Sequence, residues 1–137
     1  MEFTRVDHGD TAARVAREFA LELERSTYAR ELDAMVARAS GADEPDTSEW
    51  RRRTDLALRE ANVSEEEVSS AKRAFLDKWV RSLETDYISH EQRLMLKETV
   101  GMDGEDDGVT KEQHTTAMEQ IEVAHAVALA ELEKLGE

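Results

Sequence analysis

The sequence predicts an all-α fold, an irregular bundle of about five helices with long first and last members. Three observations carry this. Apolar residues recur at steps of three and four over long stretches, the spacing that puts side chains on one face of a helix. All 6 glycines and the 1 proline fall between those stretches or at their ends, and these are the residues that cost most in a helix interior. Alternation of period two never lasts and β-branched runs are missing, so no strand is expected. A length of 137 residues suits one domain, with 1–9 as an N-terminal arm and 101–109 as an acidic, glycine-rich loop.

The first helix is expected from Asp10, as its N-cap, to about Ala39, with Gly41 just beyond its end. Ala12, Ala16, Phe19 and Leu23 form an apolar stripe, and Tyr28, Leu32, Met35 and Ala39 resume it after a phase slip near Ser26. Such a slip predicts either a bend or a change in the neighbour the helix touches. After a polar linker around Pro45, Ser48 is expected to cap a short helix to about Ala61, with Trp50, Ala57, Leu58 and Ala61 inward.

Ser64 with Glu67 makes a capping box, flanked by Val63 and Val68 as a hydrophobic staple. The helix it opens should reach about Asp86, burying Val68, Ala71, Phe75, Trp79 and Leu83, with Leu76, Val80 and Tyr87 alongside. Ser89 and Gln92 repeat the capping pattern and predict a separate helix, carrying Leu94, Met95 and Val100 and ending at Gly101. Thr110 with Gln113 caps the last helix, Thr110 to Leu135. Its seam is Met118, Ile121, His125, Ala128, Leu132 and Leu135, and Val123 to Ala130 is apolar on nearly every side. A helix of that kind must be enclosed, by this chain or by another.

The formal net charge is −14, from 32 acidic and 18 basic residues. A surface this acidic repels phosphate backbones, so general nucleic-acid binding is not expected. Lysine occurs only at Lys72, Lys78, Lys97, Lys111 and Lys134. Abundant acid, scarce lysine and much alanine, valine and threonine resemble proteins of a high-salt cytoplasm, where screening weakens self-repulsion, or else an acidic protein of a GC-rich mesophile. Without cysteine the chain has no disulfide, thiolate ligand or thiol nucleophile. No apolar run approaches the length of a bilayer span, and the polar start carries no secretory signal. A cytoplasmic or virion location is expected.

The loop Asp103 to Gly108 resembles the first half of an EF-hand, with Asp103, Glu105 and Asp107 at alternate positions and glycine sixth. The second half departs from it, because His114 stands where a bidentate glutamate should close the site. A calcium or magnesium ion on these three carboxylates, moving the last helix, is the alternative function. Otherwise no cofactor is expected. Glu122 and His125 share a helix face in the Glu-x-x-His spacing of di-iron bundles, but no second such pair exists. A histidine on an apolar seam is ordinarily hydrogen-bonded within a core or interface.

Trp50-Arg51-Arg52-Arg53 is a basic cluster whose arginines splay round a helix and should pair with the chain's own acid or with an acidic neighbour in an assembly. Phosphate-binding loops, nucleophile elbows and paired metal-binding histidines at helical spacing are absent from the sequence. The expected function is therefore a non-catalytic interaction protein, a helical subunit of a larger assembly or homo-oligomer. A virus-particle component such as a head–tail connector is one instance of that class. Trp50, Arg52, Ile121, His125, Val127 and Leu132 are the expected interface residues.

Overall fold

Among the described residues, four helices carry the apolar stripes. The computed structural model describes residues 8–100 and 109–136. They form α1 (His8–Ala39), α2 (Ser48–Glu60), α3 (Glu65–Val100) and α4 (Lys111–Gly136). Among the described residues there is no strand, and no helix is long and apolar enough to cross a membrane. The all-α class stands, but the count of about five is corrected to four. The helices expected over Ser64–Asp86 and Ser89–Val100 are one element. Their boundary rested on Ser89 and Gln92 alone, with no glycine or proline from Ser64 to Val100. An interior serine costs only about 0.5 kcal/mol against alanine, too little to break a ladder of backbone hydrogen bonds.

The helix ends show where local chemistry decides. Glu67 N–H donates to Ser64 Oγ at 3.1 Å and Ser64 N–H donates to Glu67 Oε2 at 3.3 Å, a reciprocal box at the start of α3. Thr110 and Gln113 repeat it before α4, at 2.8 and 3.1 Å. Ser64→Ala is expected to lower stability by about 1 kcal/mol in urea unfolding, with an unchanged m-value. Ser48 is not a cap: it is the first helical residue of α2, and its N–H and hydroxyl both donate to Asp46 Oδ1. Nor is Asp10, since α1 begins two residues earlier and leaves Asp10 in the first turn, facing the positive end of the dipole.

The turn after α1 takes Gly41 at φ 78°, with Ala42 N–H on Ala37 O and Gly41 N–H on Arg38 O. That is a Schellman motif, for which glycine is the least strained residue. Asn62, at φ 56°, takes the same place after α2.

Arg17 reaches Asn62 O and Glu67 at the start of α3, and Tyr28 meets Phe75 further along. Thus α1 runs in the direction of α3. Arg73 donates to Leu135 O at 2.7 Å and His90 faces His114, so α3 and α4 lie antiparallel. Tyr28, Leu32, Leu76 and Ala128 form the buried core, surrounded by Met35, Phe75, Trp79, Val80, Val127, Leu132 and Leu135. The Tyr28 hydroxyl donates to Glu131 Oε1 at 2.9 Å, and burial with this bond pushes the phenol far above its ordinary pKa.

The phase slip in α1 is a change of neighbour. Ala20, Glu24, Thr27, Glu31 and Ala34 recur at four, three, four and three. This second stripe meets α2, where Thr27 Oγ1 lies 2.6 Å from Thr54 Oγ1 and Arg51 bonds both Glu24 and Glu31. The inward positions of α2 are therefore Thr54 and Leu58. Trp50 is instead partly exposed beneath the Arg30 guanidinium, 4.1 Å from its ring. The early stripe of α1 is also corrected: Ala12 and Ala16 are exposed, and Phe19 is 65% exposed. Arg17 already touches the start of α3, so among the described residues the turns before it extend past the end of the neighbouring helix.

Candidate docking groove between α3 and α4

Among the described residues, the α3–α4 pair is covered by α1 on one side and open on the other. On α3 the core positions are Phe75, Leu76, Trp79 and Val80, while Glu84, Tyr87 and Ile88 line an open groove. On α4 the core positions are Ala128, Leu132 and Leu135, and Ile121, Glu122, His125, Ala126 and Leu129 complete the groove. At 100° per residue the groove face lies roughly 110° round each helix from the core face. The nearly all-round apolar middle of α4 thus serves two surfaces, and the described residues cover only one. Ala126 and Ala130 are exposed, and Leu129 is 47% exposed.

The groove encloses about 570 Å³, within the roughly 300–1,000 Å³ range of ligand clefts. Its floor is Leu83, Ile121, Ala126 and Leu129, with Ile88 51% exposed at the rim. Two polar links cross it. His125 Nε2 and Glu84 Oε2 are 3.2 Å apart, and the Tyr87 hydroxyl donates to Glu122 Oε1 at 3.2 Å. That bond to Glu122, with the negative charge of Glu122 and Glu91 nearby, holds the Tyr87 phenol above its ordinary pKa.

From Glu84 and Ile88 in the groove, steps of four, three and four along α3 lead on to Glu91 and Met95. They prolong the same face as an apolar strip edged with acid, and Met95 is exposed. Nearer the turn, His90 Nδ1 lies 2.8 Å from Nδ1 of buried His114, so one ring nitrogen donates and the other accepts.

The residues singled out in the sequence fall in several places. Ile121 and His125 meet in the groove, whereas Val127 and Leu132 pack on the core. Trp50 lies on α2 with Arg30, and Arg52 is exposed and bonded to Glu49 at 2.6 Å. Arg53 also bonds Glu49 and Arg51 turns inward, so the basic cluster is paired with the chain's own acid. Glu122 and His125 share the groove but reach different partners on α3. Among the described residues no group of three or more histidines, aspartates or glutamates is placed to hold a metal. Asp103, Glu105 and Asp107 lie outside the described residues.

Glu84, Tyr87 and Ile88 were not legible as site residues. The signal available was the Glu84, Ile88, Glu91, Met95 spacing, which runs through the expected break at Ser89. No protein-family model, curated protein or solved structure matches this chain.

Proposed function

We propose that this chain is a non-catalytic interaction protein, a helical subunit that docks another polypeptide along the α3–α4 groove. The observation that carries the reading is the exposed apolar face of α4 and α3, with Ile88 and Leu129 about half exposed beside a complete core elsewhere. Contiguous apolar surface bounded by polar residues is characteristic of interaction sites, and an elongated groove between helices takes a helix as its natural occupant. The acidic composition fits a high-salt setting, and a virus-particle component such as a head–tail connector is one place for such a subunit.

A benzophenone side chain placed at position 88 or 129, in the cells that make this protein, tests the reading. One dominant covalent adduct with a polypeptide is expected at both positions, and none at exposed Asp33 on α1. Adducts at none of the three positions, or equally at all three, would overturn it.

A further inference from the structure

We propose that the occupant of the α3–α4 groove is a basic amphipathic helix of a different protein, an inference that rests on the docking reading above. The charge of the groove supports it. Its lining holds two carboxylates, Glu84 and Glu122, and no lysine or arginine. Their bonds across the groove go to His125 and Tyr87, and among the described residues neither meets a lysine or arginine. Glu91 adds a third carboxylate on the same face of α3. Several carboxylates elsewhere are held by arginine, as Glu24 and Glu31 are by Arg51 and Glu49 is by Arg52 and Arg53. In the groove, apolar surface lies beside carboxylates that meet no lysine or arginine among the described residues.

A second copy is a poor fit to this surface. Packed face to face, it would set Glu84, Glu91 and Glu122 against their own counterparts, between two bodies of net charge −14 each. Like charges opposed at an interface are unfavourable and suppress that pairing. An occupant with leucine-sized residues at i, i+3 or i+4 and i+7 would fill the floor from Leu83 to Leu129. Lysine or arginine flanking those residues would reach Glu84 and Glu122 from either side. Arginine is favoured, because its fork binds a carboxylate through two bonds.

The test uses the full chain and two synthetic peptides about five turns long. Both carry leucine on one face, with lysine and arginine on the other face of the first peptide and glutamate in the second. Fluorescence anisotropy is expected to show saturable binding of the basic peptide, weakening as salt rises, and none of the acidic one. Glu84→Gln with Glu122→Gln should weaken binding about tenfold, whereas Glu18→Gln with Glu60→Gln, of equal net charge and exposed elsewhere, should leave it unchanged. Ile88→Ser with Leu129→Ser should also weaken it about tenfold, with the circular-dichroism melt retained as the check on folding.

Equal losses from both glutamine pairs, or equal binding of both peptides, would overturn the charge assignment while the crosslinks at 88 and 129 still stood. Dimerisation in sedimentation that Phe19→Lys and Leu129→Ser each abolish would give the groove to a second copy's α1 and overturn the proposal. Absence of the crosslinks would remove the docking reading itself.

Discussion

Arg51→Ala is expected to lower the unfolding free energy by about 3–5 kcal/mol, the usual cost of stranding a buried charge. The Arg51 guanidinium bonds both oxygens of Glu24 at 2.8 Å and both of Glu31 at 2.5 and 2.9 Å, and adds Asp55 at 3.0 Å. The Glu24 side chain is 1% exposed, so its charge has no recourse to water once Arg51 is gone. These bonds, that to Glu24 first, raise the pKa of Arg51 and hold its charge firmly. Replacing both partners, as in Arg51→Met with Glu24→Leu, should cost clearly less than Arg51→Ala alone, because no unpaired charge remains. Urea unfolding of the two variants and the single Glu24→Leu checks this. Equal stability of wild type and Arg51→Ala would mean that the pair is open to solvent.

Leu76→Ala is expected to cost about 2–5 kcal/mol, from lost apolar burial plus the cavity left behind. Leu76 is fully buried and shares the core with Tyr28 and Leu32 of α1 and Ala128 of α4, so that three helices meet there. Neighbours held on three sides cannot collapse inward freely, which favours the upper part of that range. Thermal and urea unfolding measure it. Ile88→Ser, on the same helix but at the groove rim, should stay within about 0.5 kcal/mol of wild type, as surface changes usually do. The contrast separates residues that hold the fold from residues that serve the groove.

How much of this was legible depends on how local each determinant is. The caps at Ser64 and Thr110 and the turn at Gly41 form from residues within a few positions, so their sequence patterns carried the result. Ser89 and Gln92 show the same pattern inside a continuous helix. A capping residue marks an end only where the chain has another reason to leave the helix, such as a glycine or an unfavourable packing direction.

Distant partners were the harder part. Glu24, Thr27 and Glu31 look like a solvated face of α1, yet they lie against α2, because Arg51 and Thr54 arrive with matching groups. Which of three adjacent arginines turned inward depended on that encounter. The excess apolar character of Val123 to Ala130 was visible in the sequence, and half of it meets the core as expected. Its other half lies in the groove, whose α3 wall crosses the boundary that Ser89 suggests, so the sequence pattern divides a surface that the fold makes continuous.

The most direct measurement is amide chemical-shift mapping of the full chain during titration with the basic amphipathic peptide. The expected result is a set of saturating shifts confined to residues 83–95 and 118–129, with α2 and the first turns of α1 unmoved. Shifts centred instead on Trp50 and Arg52, or spread evenly over every acidic segment, would contradict the α3–α4 groove as the docking site.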